Sequence, residues 1–142
     1  MLLFFLLMAG VILADQLTKI LALQYLAPVG SYPLWKDVLH LTYVENTGAA
    51  FGMLKDHRWV FLNKSRHPQE TVAVAFIVGG GIGNMIDRVA RGFVVDFVDV
   101  KCIPFWKYIF NVADIFVCVG CGLFILYVLL YETRVKKAED AA

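Results

Sequence analysis

The side chains best suited to chemistry lie in one stretch of the chain, from Gly79 to Asp114. It reads G-G-G-I-G-N-M-I-D-R at 79–88, G-F-V-V-D-F-V-D at 92–99 and F-N-V-A-D at 110–114. Four aspartates, two asparagines and two arginines therefore stand between two segments that are apolar enough for lipid. Each ionisable group at membrane depth costs about 2.5–3.5 kcal/mol on insertion scales, so we interpret this stretch as a functional site.

The chemistry available to this stretch is that of carboxyl groups. In an extended chain Asp96 shares its side of the backbone with Val94 and Val98, and apolar neighbours of this kind raise the pKa of a carboxyl group. Two carboxyl groups held close together share one proton, so one acts as a base on water while the other polarises a carbonyl. No serine or cysteine in these motifs has a histidine placed to activate it, and no His, Cys or Glu cluster has metal-ligand spacing. We expect neither a metal nor another cofactor.

The composition assigns the chain to a lipid bilayer. Of its 142 residues, 60% are hydrophobic and 18% are charged, and the mean hydropathy is +0.69, which is well above that of a soluble domain. The formal net charge of +1 gives no general attraction to nucleic acid. We predict a membrane protein in contact with lipids, with no nucleic-acid partner and no obligate protein partner.

Three segments have the length and apolar character of membrane-spanning helices, at about 1–26, 71–88 and 108–131. Asp15 and Lys19 lie four residues apart in the first segment, and hence on one helix face. Either the two side chains neutralise each other, or Asp15 points towards the polar stretch, and both interpretations can hold together. The basic residues after the last segment predict a cytoplasmic C-terminus.

Polar residues also share helix faces at the ends of the other two segments. Asn84, Asp87 and Arg88 lie on one face of the second segment, where the simplest interpretation is an ion pair between Arg88 and Asp87 that acts as a structural clamp. Asn111 and Asp114 lie three residues apart on one face at the start of the last segment.

Outside the membrane we predict a small β-sheet, built from about 32–59 and 92–100. Aromatic and β-branched residues recur in these regions at strand-like spacing. The segment E-N-T-G-A-A-F-G at 45–52 places Asn46 and Gly48 among small residues that allow close backbone approach. The same pattern also fits a plain turn.

Five short motifs, taken in order, resemble those of a known family. They are D-Q-L-T-K, E-N-T-G-A-A-F, G-G-x-x-G-N-x-x-D-R, G-x-V-V-D-F and F-N-x-A-D, and the family they resemble is lipoprotein signal peptidase, the bacterial signal peptidase II. The resemblance implies one integral-membrane peptidase domain over 1–142, mainly α and polytopic, with four transmembrane helices and a small sheet on the outer side. It also implies the bacterial cytoplasmic membrane, with the active site facing the periplasm.

The activity implied by the resemblance is that of a membrane aspartic endopeptidase. Such an enzyme removes the signal peptide from a diacylglyceryl-modified prolipoprotein by cutting before the lipidated cysteine. By their positions in the motifs, Asp96 and Asp114 match the catalytic pair, whereas Asp87 and Asp99 lie outside it. Seven further residues match substrate-binding or supporting positions: Asp15, Lys19, Asn46, Gly48, Asn84, Arg88 and Asn111.

The chain departs from this family in the number of spans. The family has four, but three are evident here, and the second is missing between W-V-F-L at 59–62 and N-K-S-R-H-P at 63–68. With both termini in the cytoplasm the number of crossings must be even, and Lys64, Arg66 and His67 are typical of a cytoplasmic loop. We therefore expect that a stretch carrying the second span is absent from this sequence.

Two other hypotheses remain open at this point. A small proton- or ion-handling membrane protein would also place Asp15, Asp87 and Asp114 within its spans. A catalytically impaired remnant that still binds lipoproteins would agree with the lost span. Replacing Asp96 and Asp114 separates these classes, since only the peptidase would lose a cleavage activity.

Overall fold

Three long helices form most of the molecule. The computed structural model describes residues 1–48, 68–103 and 105–139. Helix α1 (Leu2–Leu21) continues into a π-helical turn (Ala22–Leu26), and it is followed by α2 (Pro68–Arg91) and α3 (Val112–Glu139). Each helix has a segment long and apolar enough to cross a membrane.

A small antiparallel sheet of four strands adjoins the helix ends. Its strands are β1 (Ser31–Trp35), β2 (Leu39–Asn46), β3 (Val94–Val100) and β4 (Ile109–Phe110), and they are ordered β1-β2-β3-β4. The predicted fold class, a mainly helical membrane protein with a small sheet, is confirmed.

Two local features differ from the sequence-based expectation. The strand-like run around residues 34–44 is a hairpin, because Asp37 takes a left-handed conformation with φ of 59° and reverses the chain. The third long helix begins at Val112 rather than at Tyr108, because Ile109 and Phe110 pair with β3 instead.

Glycines on α2 allow the three helices to pack closely. A Cβ atom on Gly80 would lie 2.5 Å from the carbonyl oxygen of Ala113 on α3. A Cβ atom on Gly83 would lie 2.5 Å from Oδ2 of Asp15 on α1. The glycine-rich run therefore brings the backbone of α2 within contact distance of both neighbours, at the level of the polar residues.

The sheet is attached to the helices through one face of β3. Val95 and Phe97 are buried together with Ala22 and Leu26, at the end of the first membrane-spanning segment. Because side chains alternate along a strand, Asp96 between them points to the opposite face. The attachment thus fixes the direction of the Asp96 carboxyl group.

The segment in which we expect the second span to be missing, 59–67, lies outside the described residues, as does the remainder of the predicted sheet region after Gly48. Within the described ranges, three helices meet the length and hydropathy of a membrane span.

The close approach at Gly83 can be tested by adding one methyl group. Gly83→Ala is expected to lower the thermal unfolding temperature in detergent, because overpacking costs about 1–3 kcal/mol and the new Cβ meets a buried carboxylate. Gly122→Ala on α3 is the matched control, since a Cβ there meets nothing within 4 Å. An unfolding temperature of Gly83→Ala equal to that of Gly122→Ala would contradict the proposed contact.

Candidate active site

The carboxyl groups of Asp96 and Asp114 converge on a single residue, Asn111. Asn111 Nδ2 donates a hydrogen bond to Oδ1 of Asp96 over 2.6 Å, and the backbone N–H of Asn111 donates to Oδ2 of Asp114 over 3.3 Å. Two aspartates that lie 18 positions apart in the sequence therefore share one neighbour. Asp96 comes from the middle of β3 and Asp114 from the first turn of α3.

The start of α3 explains the position of Asp114. The side-chain oxygen of Asn111 accepts a hydrogen bond from the backbone N–H of Asp114 at 3.0 Å, and the Asp114 carboxylate accepts from the backbone N–H of Asn111 in return. This reciprocal arrangement is a capping box, which satisfies two backbone donors that the first helical turn leaves unpaired. A carboxylate in this turn is also stabilised by the helix dipole.

Two more amide side chains complete the surroundings of the pair. Asn84 Nδ2 donates to Oδ1 of Asp114 at 2.8 Å, and its oxygen accepts from Asn111 Nδ2 at 3.1 Å. Asn46 Nδ2 donates to Oδ2 of Asp96 at 2.8 Å. Amides suit this role because they donate and accept hydrogen bonds without adding charge.

The environment of Asp96 favours its protonated form. The residue is 2% exposed, and burial raises the pKa of its carboxyl group above the ordinary 3.8. The hydrogen bonds from Asn46 and Asn111 oppose this shift, whereas the negative charge of Asp114 adds to it. The net pKa of Asp96 is raised, in agreement with the valine-flanked position predicted from the sequence.

Behind the amides lies a network of fully buried charges. Lys19 Nζ contacts Oδ2 of Asp15 at 2.9 Å, Oδ2 of Asp87 at 3.2 Å and Oδ1 of Asn84 at 2.8 Å. Lys19, Asp15 and Asp87 are each 0% exposed. Asp15 therefore pairs with Lys19 and also faces the polar stretch, so both interpretations of this residue hold.

The remaining candidate residues lie at the edge of the site. Gly48 donates its backbone N–H to Oδ1 of Asn46 at 2.9 Å, which helps to orient the amide that contacts Asp96. Arg88 is partly buried, and its guanidinium donates to the backbone oxygen of Asn84 at 3.3 Å.

The expected ion pair between Arg88 and Asp87 is wrong. Asp87 instead forms ion pairs with Lys19 and with Arg91, one turn further along α2. Residues one apart on a helix point in different directions, whereas residues four apart share a face. Asp99 is separate from this network, because it binds Thr42 and Lys101.

Two further residues, Gln16 and Arg91, contact the buried charges and were not among the sequence-based candidates. Gln16 Nε2 lies within hydrogen-bond distance of three acceptors, which are Oδ2 of Asp15, Oδ1 of Asp87 and the backbone oxygen of Gly83. The ion pair between Arg91 and Asp87 could have been predicted, because the two residues lie four positions apart on a helix. Gln16 carried no comparable signal, since its partners on α2 are distant in sequence.

A metal centre finds no support among the residues that the structure describes. No group of three or more His, Cys, Asp or Glu side chains there is arranged to hold a metal ion. The chemistry that the described site offers is that of two carboxyl groups in a shell of amides.

Fold and candidate site together describe a small, mainly helical membrane protein with a buried polar centre beside a four-stranded sheet. A solved structure of a bacterial membrane enzyme, obtained in meso at 1.9 Å resolution, superposes with a TM-score of 0.77. The two sequences are 28% identical, and the match covers 91% of this chain and 94% of the other. A second bacterial membrane enzyme structure, at 2.3 Å resolution, matches with a TM-score of 0.72 and 29% identity over 92% of this chain and 88% of that one.

The family follows from sequence comparison. The signal peptidase (SPase) II family pattern matches residues 7–130. The lipoprotein signal peptidase of Clostridioides difficile (strain 630) is 41% identical over 84% of this chain and 90% of its own length, and that of Caldanaerobacter subterraneus subsp. tengcongensis is 42% identical over 90% and 96%. The chain belongs to the signal peptidase II family, and it is a peptidase of the membrane.

One comparison bears on the length of the chain. The alignment with the lipoprotein signal peptidase of Anoxybacillus flavithermus, 35% identical, covers 99% of this chain and 93% of that relative, and spans 156 positions. This chain has 142 residues, so that relative has at least 14 residues without a counterpart here.

The raised pKa of Asp96 can be measured directly. Infrared spectra recorded over a pH titration are expected to show a protonated carboxyl band that persists above the ordinary pKa of 3.8 and is lost in Asp96→Asn. Asp99→Asn is the matched control on the same strand: burial opposes ionisation of Asp99, but its bonds with Lys101 and Thr42 outweigh burial and lower its pKa. Persistence of the band in Asp96→Asn, or its loss in Asp99→Asn, would contradict this assignment.

Proposed function

We propose that this chain is an aspartic endopeptidase of the bacterial cytoplasmic membrane, with Asp96 and Asp114 as its catalytic pair. Its substrate is a diacylglyceryl-modified prolipoprotein, from which it removes the signal peptide by cleaving before the lipidated cysteine. The observation that carries the proposal is the convergence of both carboxyl groups on Asn111. Family membership supports peptide cleavage, and the buried pair supports a carboxyl-based mechanism.

The surroundings of the two carboxyl groups differ, which assigns them different roles. Asp96 is buried and has a raised pKa, so it holds the proton that the pair shares. Asp114 lies in the first turn of α3 and accepts hydrogen bonds from the amide of Asn84 and the backbone N–H of Asn111. Asp114 is therefore the base and Asp96 is the acid.

The reaction follows from this division. The Asp114 carboxylate takes a proton from water, and the water oxygen forms a bond to the scissile carbonyl carbon. Asp96 donates a hydrogen bond to the carbonyl oxygen, which becomes negatively charged as its π electrons shift onto it. The tetrahedral species then collapses, the C–N bond breaks with its electron pair on nitrogen, and the proton held by Asp114 passes to the amine of the lipidated cysteine.

The location of the pair suits a lipid-anchored substrate. Asp114 begins the membrane-spanning part of α3, while Asp96 belongs to the sheet outside the spans. The basic residues Arg134, Lys136 and Lys137 favour a cytoplasmic C-terminal end of α3 by the positive-inside rule, which supports a site that faces the outer side. A cysteine whose acyl chains lie in the outer leaflet reaches this depth without leaving the membrane.

One finding favours a second candidate function. Because at least 14 residues of the Anoxybacillus flavithermus relative have no counterpart here, a protein that binds the lipidated signal peptide without cleaving it is the alternative. This binding function predicts that the wild-type chain binds the lipidated signal peptide but forms no cleaved product.

Cleavage of a diacylglyceryl-modified prolipoprotein by the purified chain tests the proposal. The wild-type chain is expected to yield the shortened product, and Asp96→Asn and Asp114→Asn are each expected to slow it by roughly 10²–10⁴-fold, the range of acid–base catalysis. Asp99→Asn, an aspartate on the same strand that binds Thr42 and Lys101 instead, is expected to cleave at the wild-type rate. Gel mobility of the product provides the measurement.

The outcomes separate the classes of function. The Clostridioides difficile relative serves as the positive control for the assay. Binding by the wild-type chain without product indicates the binding function, and undiminished cleavage by both catalytic variants would remove the aspartic mechanism.

A further inference from the structure

Two buried aspartates outside the proposed catalytic pair, Asp15 and Asp87, each hold the backbone next to a residue of that pair. We infer that Asp15, Asp87 and Lys19, here called the Lys19 node, are positioning residues that set the separation of the Asp96 and Asp114 carboxyl groups. The inference rests on the proposed function, because it concerns the same pair.

The first half of the node acts on α3. Oδ1 of Asp15 accepts a hydrogen bond from the backbone N–H of Ala113 at 2.9 Å, and this bond is buried. Ala113 directly precedes Asp114. The backbone N–H of Ala113 belongs to the first turn of α3 and has no partner within its own helix, so Asp15 fixes the place at which that turn meets α1.

The second half acts on β3 in the same manner. Oδ2 of Asp87 accepts a hydrogen bond from the backbone N–H of Val95 at 3.0 Å, and this bond is also buried. Val95 directly precedes Asp96. Each catalytic aspartate thus follows a residue whose backbone N–H is held by a non-catalytic carboxylate, one from α1 and one from α2.

Lys19 joins the two halves. Its ammonium contacts Asp15, Asp87 and Asn84 at 2.9, 3.2 and 2.8 Å, which uses the three donors that an ammonium has. Asn84 in turn donates to Asp114. A displacement of either backbone anchor is therefore transmitted through one cation to the other anchor and to the amide between them.

Stability alone does not account for such an arrangement. A buried ion network is often no more stabilising than well-packed neutral groups of the same volume, since desolvation offsets the attraction. The reaction rate is more sensitive to geometry, because a displacement of catalytic groups by about 1 Å lowers the rate roughly 10²-fold. The node accordingly acts on the rate of the chemical step more than on the free energy of unfolding.

A neutral version of the node separates the two roles. In the triple variant Asp15→Asn, Lys19→Met, Asp87→Asn, side-chain volumes are nearly kept and the three fully buried charges are removed together, while Arg91, whose side chain is 22% exposed, loses its ion pair with Asp87. We expect this variant to unfold near the wild-type temperature, to keep KM for a lipidated fluorogenic peptide within about twofold, and to lose about 10²-fold in kcat. Amide hydrogen exchange at Val95 and Ala113 is expected to accelerate in the same variant.

The matched control deletes a different Lys–Asp pair. Lys101→Met removes the ion pair with Asp99 at the far end of β3, where Lys101 is half exposed, and it is expected to leave kcat, KM and exchange at Val95 and Ala113 unchanged. If the triple variant does not fold, the single variant Asp87→Asn is judged by the same measurements of kcat, KM and amide exchange. It keeps the side-chain volume and replaces one carboxylate oxygen with an amide nitrogen.

Two results would overturn the inference. The first is a kcat equal to that of the wild type in the folded triple variant, or in Asp87→Asn if the triple variant does not fold. The second is unchanged hydrogen exchange at the amides of both Val95 and Ala113. Failure of the proposed function gives different results, which appear in the cleavage assay before the node is altered. Either the wild-type chain yields no product, or the Asp96→Asn variant cleaves at the wild-type rate.

Discussion

The ammonium of Lys19 is the group on which the rest of the polar centre depends. A cation with 0% exposure at the end of a membrane-spanning helix is tolerated only where every donor meets an acceptor. Here it holds one carboxylate from its own helix, one from α2, and the amide of Asn84. Two buried carboxylates are thereby compensated, and each also accepts a backbone N–H, Asp15 from α3 and Asp87 from β3.

Close packing of the helices is the condition for this network. Gly80 and Gly83 bring α2 against Ala113 and Asp15, and larger residues at either position would separate the helices and admit water. In a dry interior, hydrogen bonds to charged groups are stronger than in water. The glycine-rich run thus has a role in the electrostatics of the site as well as in the packing of the fold.

The sequence predicted contacts between residues that are spaced at the regular period of a helix or a strand. It predicted fewer of the contacts between residues that only the fold brings together. Helical spacing predicted the contact of Asp15 with Lys19, and strand alternation predicted the apolar flanks of Asp96. The same reasoning failed for Asp87, because adjacency in sequence suggested Arg88 although helical geometry favours Arg91. The bonds from Val95 and Ala113 to distant carboxylates could not be predicted, since a backbone N–H carries no residue-specific signal. The proposed catalytic pair was selected by family motifs, because four aspartates share the stretch.

The contacts of the pair also bear on the residues that this chain lacks relative to Anoxybacillus flavithermus. In the described structure, Asp96 and Asp114 receive hydrogen bonds from β2, α2 and the residue before α3, and the Lys19 node comes from α1 and α2. All of these elements are retained, so the chemical groups of the proposed reaction are assembled from the residues present.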